Sequence, residues 1–251
     1  MPVDRKLFKH PFRKGKIPQW MCPACNKGVL KGKEGTFMKE ETASSKEAQK
    51  HPDWEPEWLE YTYSCRFACT NPGCEQVVFN VGTGKLDYEL EAKDDEYPEQ
   101  VYFDMFYPKF FLPHLNIFQI PKETPSDIKS PISNSFSLFF TDPSSSAGSL
   151  RTALENILDH FKIKRFETRN GKRFRISLHK RIDLIPNKFS GLKDLFYAVK
   201  WLGNDGSHSK GVDEDDVMDA YDIFESILDE IFVRRSAAIK KLAKKINKSY
   251  V

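Results

Sequence analysis

The chain has 251 residues, 39% hydrophobic, 30% charged and 13% aromatic, with a formal net charge of +3. That length accommodates one large or two modest domains, and no apolar run reaches the roughly 18 residues that a membrane span needs. Met1 to Arg13 is basic but lacks the apolar core of a signal peptide, so a cytoplasmic protein without a membrane partner is expected.

The charge is unevenly distributed. Residues 5–33 carry nine lysines and arginines and no acid, and residues 162–181 carry nine against the single Glu167. Arg234 to Lys248 holds seven bases, whereas residues 213–230 hold nine acids and no base. Such segregation fits either a contact surface for RNA, DNA or a charged protein partner, or solvated faces and a solubilising tail.

In chain order, cysteines come first. Five cysteines make no disulfide framework in a chain of this size, and an intracellular setting favours metal binding. Cys22-Pro23-Ala24-Cys25 reads as a knuckle followed by Gly28. Of Cys65, Cys69 and Cys74, we pair Cys69 with Cys74, because Asn71-Pro72-Gly73 between them is strong turn chemistry. Cys22, Cys25, Cys69 and Cys74 then form a tetrahedral four-thiolate site for a structural Zn2+ with no open catalytic position. Two alternatives remain: Cys65 replaces Cys69, or the cysteines are buried and unliganded. Leu59–Phe67 and Val77–Val81 read as the flanking strands, the second ended by Gly82. Residues 31–58 read as an irregular insertion, whose Trp54 and Trp58 pack on the ribbon or stack on bases.

Asp87 to Asp104 is acidic, and Pro108 and Pro113 interrupt aromatic runs, so residues 86–123 are expected to form an extended strap. From Pro125 the apolar period becomes helical. Ile128, Ile132, Phe136, Phe139 and Phe140 mark a first helix, ended at Thr141-Asp142-Pro143. Leu150, Leu154, Ile157, Leu158 and Phe161 mark a second, with Arg151 and Glu155 beside its stripe. Lys162 to Arg175 reads as a loop or short hairpin around Asn170-Gly171. Leu178, Ile182 and Ile185 give a third helix. Leu192 to Leu202 gives a fourth, which Gly203 can end as a left-handed cap. Val217 to Phe232 gives the fifth, with acids at its positive end, and residues 237–248 a further basic helix. The expected fold class is α+β: a zinc-ribbon module over 1–85, the strap over 86–123, and an all-α bundle with a basic tail over 124–251.

Between the fourth and fifth helices stands Gly203-Asn204-Asp205-Gly206-Ser207-His208, either a functional corner or a capping turn. Together with Leu150-Arg151 and Leu154-Glu155 and the cysteine knuckles, it resembles the domain-of-unknown-function 4145 family of bacteria. The helical part of that family looks like the HEPN (higher eukaryotes and prokaryotes nucleotide-binding) superfamily. The resemblance covers residues 125–234 well and residues 20–30 and 65–82 loosely. It implies a helical bundle that often dimerises, and many such proteins are metal-independent ribonucleases in toxin–antitoxin and antiviral defence systems. Their hallmark is an arginine four to six residues before a histidine, the arginine stabilising developing negative charge. Here His208 matches the histidine and Asn204 a frequent polar position. Trp201, Leu202 and Gly203 occupy the places of the arginine, and Lys200, one step away, is a poor substitute for a guanidinium. Arg151 and Glu155, on another helix, are the remaining candidates for a catalytic group with His208 and Asn204, or form a structural clamp. The expectation is therefore a non-catalytic nucleic-acid-associated or adaptor module, with an endoribonuclease built on His208 as the alternative.

Overall fold

The computed structural model describes residues 3–9, 11–91, 98–205, 211–233 and 235–249. The chain forms two compact units, Asp4–Asn116 and, with the first three residues, Ile117–Val251. The architecture is mixed: an antiparallel sheet in the first unit and helices in the second.

In the first unit, a short helix α1 (Arg5–Phe8) precedes the strands. These are β1 (Leu30–Gly32), β2 (Met38–Glu41), β3 (Glu60–Cys69), β4 (Val77–Glu91) and β5 (Glu99–Leu112). The sheet order is β1-β3-β4-β5, with β2 also pairing to β3. All of these pairings are antiparallel. Period-two alternation in β3 sends Tyr61, Tyr63, Cys65 and Phe67 to one face, where all four are buried. Onto them fold Phe12 and Trp20 from the basic N-terminal stretch and Phe106 and Phe111 from β5, all buried. Trp20 meets Phe12, Phe67 and Phe111 edge-on at centroid distances of 5.5, 5.5 and 5.0 Å. Backbone bonds of 2.9 and 2.8 Å join Phe12 to Phe106, so the N-terminal segment becomes part of the sheet.

Three sequence expectations change here. The second flanking strand does not end at Gly82: β4 passes through a register shift between Val81 and Gly82 and runs on to Glu91. The expected strap is largely a long β4–β5 hairpin, because β5 pairs with β4 from Phe79↔Leu112 to Glu91↔Glu99. Ladder bonds along its length satisfy backbone groups that an isolated extended segment would leave to water. The insertion is only partly irregular, with helix α2 (Ala43–Ala48) capped by Thr42 and a 3-10 turn at Pro56–Trp58.

The second unit contains α3 (Ser126–Leu138), α4 (Pro143–His160), the hairpin β6 (Phe166–Arg169) and β7 (Lys172–Arg175), α5 (Leu178–Asp183), α6 (Lys193–Asp205), α7 (Glu214–Leu228) and α8 (Arg235–Ser249). The apolar stripes read from the sequence form its core: Ile128, Ile132, Phe136, Phe139, Leu150, Leu154, Ile157, Leu158, Phe196, Val199, Val217, Tyr221, Phe224, Ile227 and Leu228 are all buried. Asp142 caps α4 before Pro143, and Asp213 with Asp216 forms a capping box on α7. One polar cluster in this core has its hydroxyls paired with one another. Tyr221 Oη lies 2.9 Å from the hydroxyls of both Ser135 and Ser146, which lie 2.8 Å from each other.

Pro131 stands inside α3 and has no N–H for the carbonyl of Asp127, one turn earlier. Asn156 of α4 donates its Nδ2 to that carbonyl at 2.7 Å. A neighbouring helix thus fills the gap that proline opens.

Candidate functional site

Two hairpin turns build the cysteine cluster. In the first, Cys22 N–H donates to Gly28 O at 2.8 Å and Asn26 N–H to Cys22 O at 2.9 Å, with Asn26 at φ 49°. In the second, between β3 and β4, Cys69 N–H donates to Gln76 O and Cys74 N–H to Asn71 O, at 2.9 and 3.0 Å. Thr70 N–H donates to Val29 O at 3.0 Å and ties the turns together. A Cβ on Gly28 would stand 2.6 Å from Cys69 Sγ and 2.7 Å from Asn71 N, so the approach of the two turns requires glycine there.

The ligand atoms of Cys22, Cys25, Cys69 and Cys74 all lie within 4.8 Å of one another. Cys22 and Cys74 Sγ are 3.7 Å apart, as are Cys25 and Cys69 Sγ. All five cysteines are free thiols rather than disulfides. Backbone N–H groups of Gly28 and Asn71 point at Cys25 and Cys69 Sγ, at 3.5 and 3.3 Å. The N–H groups of Gly28 and Lys27 pull the Cys25 thiol down to about 6, whereas burial pushes Cys69 up to about 12. Four thiolates cannot share this space without a cation between them, so the arrangement is compatible with a metal site whose ligands all come from protein. Cys65 stands apart: it is buried on β3, its Sγ lies 3.9 Å from Asn80 Oδ1, and burial pushes its thiol up to about 12.

The second group of candidate residues lies in the helical unit. Arg151 and Glu155 are paired, though loosely, with Nε to Oε1 at 3.8 Å. Glu155 Oε2 also accepts from Arg175 Nη2 at 3.3 Å. These residues form one wall of a cavity of about 210 Å³ with Arg165, Ile176, Ser177, Leu178 and Arg181. Arg181 is buried, with Nη2 donating to Asp159 Oδ1 at 2.6 Å and to Ile163 O at 3.1 Å. Arg165 Nε donates to Asp159 Oδ2 at 2.8 Å, and its Nη2 to Asn156 Oδ1 at 3.3 Å. Burial would raise the Asp159 carboxyl, but Arg165 and Arg181 outweigh it and hold the group below the ordinary aspartate value. On α6, Lys200 is buried, its Nζ 3.3 Å from the Trp201 ring centroid. Burial, and then the charge of Arg151, lower its ammonium pKa.

The corner after the fourth helix differs from expectation. Gly203 does not end the helix as a left-handed cap: α6 continues through Asn204 to Asp205. Its reason for being glycine is packing against α4. A Cβ there would stand 2.7 Å from Arg151 Cβ and 3.1 Å from Ala147 O. Asn204 therefore occupies the last turn of α6 in backbone terms, and His208 lies outside the described residues. Arg165, Arg175, Ser177 and Arg181 were not singled out from the sequence; the basic run of residues 162–181 was their only trace.

The molecule is thus a two-unit α+β protein with a four-cysteine cluster in its sheet unit and an arginine-walled cavity in its helical unit. Residues 133–249 match the family model described as Domain of unknown function (DUF4145), which supports the resemblance drawn from the helical residues. Residues 10–111 match a different one, Domain of unknown function (DUF8608), which takes in the cysteine turns. No curated protein and no solved structure matches the chain. No helix among the described residues is long and apolar enough to cross a membrane.

Proposed function

We propose that the protein is a non-catalytic nucleic-acid-associated module, in which a zinc-ribbon-like unit held by a structural Zn2+ accompanies a HEPN-like helical unit that makes the contact. The carrying observation is the β6–β7 hairpin. Neither of its faces is buried, and it displays Arg169, Lys172, Arg173 and Arg175 with the exposed rings of Phe166 and Phe174. Arg173 lies 3.8 Å above the Phe166 ring centroid. Cations interleaved with aromatic faces suit a strand whose phosphates are neutralised while its bases stack.

Zinc is supported by spacing. Four sulfurs at about 2.3 Å from one tetrahedral ion stand about 3.8 Å apart, close to the 3.7 Å separations of the two cysteine pairs. A site filled by four thiolates leaves no position for a metal-bound water, which favours a structural role. The exposed stripe Ile239, Leu242 and Ile246 on α8 supports association with a second copy of the chain.

Fluorescence anisotropy with a labelled single-stranded RNA tests the reading. Affinity should fall steeply with salt, and R169Q/K172Q/R173Q should reduce the logarithmic salt slope by about two, at about 0.7 per neutralised phosphate. Absent or salt-independent binding by the wild type would sink the proposal. A metal-independent endoribonuclease built on His208 is the second reading. Its support is the packing of Arg151 against Gly203, which brings a guanidinium-bearing residue beside the helix leading to His208. It requires RNA cleavage without added metal that H208A abolishes, and an intact RNA substrate after incubation with the wild type would dismiss it.

A further inference from the structure

We propose that the arginine-walled cavity of the helical unit binds a terminal phosphate monoester of a nucleic-acid strand. The inference rests on the nucleic-acid reading above and adds a site to it.

Four guanidinium groups converge from separate elements: Arg151 on α4, Arg165 just before β6, Arg175 at the end of β7 and Arg181 on α5. Bringing like charges together is unfavourable unless something offsets them. Glu155 takes Arg151 and Arg175, and Asp159 takes Arg165 and Arg181. Two carboxylates against four guanidiniums leave two positive charges in excess.

Donors also remain uncommitted. The Arg181 side chain is only 3% exposed, and although its Nη2 is bonded twice, its Nε is a buried donor with no partner among the described residues. Arg151 makes no hydrogen bond among the described residues and approaches Glu155 only at 3.8 Å. Buried donors ordinarily find partners, so the unfilled Arg181 Nε, in a wall shared with the loosely paired Arg151, calls for an oxygen-rich anion. Guanidinium forks match phosphate oxygens in geometry as well as charge.

Size and charge narrow the ligand. At about 210 Å³ the cavity is smaller than the roughly 300–1,000 Å³ of whole-ligand pockets, so it admits a phosphate group rather than a nucleoside. A phosphate monoester carries about −1.5 to −2 near neutral pH, which matches the excess of two better than the single charge of an internal diester. Arg175 ends the hairpin at the cavity, with Arg173 on the same face and Lys172 and Arg169 on the opposite one. A strand whose end sits in the cavity meets Arg173 next along the Arg175 face.

The test compares one single-stranded oligonucleotide with a 5′-phosphate, with a 3′-phosphate and with neither, by anisotropy at fixed salt. The wild type should prefer one phosphorylated form by about tenfold, the scale of a bidentate charge-assisted contact. R151Q/R175Q should lose that preference, with affinity for the unphosphorylated strand lowered only as far as R175Q alone lowers it. R175Q alone, at a side chain 70% exposed, should reduce the preference without affecting folding, which guards against a misfolded double variant. Equal wild-type affinity for all three strands would overturn the inference and leave the nucleic-acid reading intact. So would a phosphate preference that survives in both folded variants. Failure to bind any strand would overturn both.

Discussion

Pro131 and Asn156 give the sharpest quantitative test of how the helical unit is held. Pro131 deprives the Asp127 carbonyl of its helical donor, and Asn156 Nδ2 supplies a replacement at 2.7 Å. Asn156 Oδ1 meanwhile accepts from Arg165 at 3.3 Å, so one amide links a broken helical ladder to the wall of the arginine cavity. N156A should destabilise the unit by about 1 kcal/mol, the net worth of one hydrogen bond. P131A restores the N–H and removes the ring clash. It should stabilise by about 2 kcal/mol, the roughly 3 kcal/mol penalty of an interior proline less the entropy that proline removes from the unfolded chain. In the P131A background the Asp127 carbonyl has its own donor, so the cost of N156A should shrink by about 1 kcal/mol. Gains in helix propensity and the loss of the Arg165 contact occur in both backgrounds and cancel in the cycle. Urea unfolding followed by helical circular dichroism at 222 nm measures all four proteins. Costs that add to within about 0.3 kcal/mol would refute the claim that Asn156 compensates for the proline.

Other expectations follow from the same contacts. Purified protein should carry about one zinc per chain, lost in C69S and retained in C65S; metal retention by C69S would return Cys65 to the ligand set. G203V should destabilise the helical unit by about 1–3 kcal/mol through overpacking, since the atom it meets is Arg151 Cβ at 2.7 Å, which cannot swing aside; a raised melting temperature would contradict that packing. Asp159 has a depressed folded pKa, so its contribution is complete above the unfolded aspartate value of about 3.9. It is lost as pH falls through the lower folded value. D159N should flatten that part of the acid-unfolding profile, and an unchanged profile would show that Arg165 and Arg181 do not hold the carboxylate.

Much of the architecture is local and therefore legible in the residues. Apolar residues spaced three and four apart fall on one side of a helix whatever lies beyond, so Ile128 to Phe139 and Val217 to Leu228 could be assigned to the core before any contact was known. Asp142 before Pro143 and Asn71-Pro72-Gly73 are likewise short-range signals, as is the two-residue gap of Cys22 and Cys25. They identified the start of α4 and the four clustered thiols.

Only the tertiary structure decided what depends on residues far apart in the chain. Phe12 pairs with Phe106, and nothing within the basic N-terminal stretch indicates that it joins a sheet. Residues 86–123 read as a strap because their prolines and acids obscure the β4–β5 ladder, which reaches back to Phe79. Gly203 resembles a helix cap in sequence, and its actual role, admitting the side of Arg151, exists only where α4 crosses α6. The arginine cavity has the same origin. The run of residues 162–181 announces positive charge, but convergence of Arg165, Arg175 and Arg181 on Arg151 depends on how a hairpin and two helices fold together.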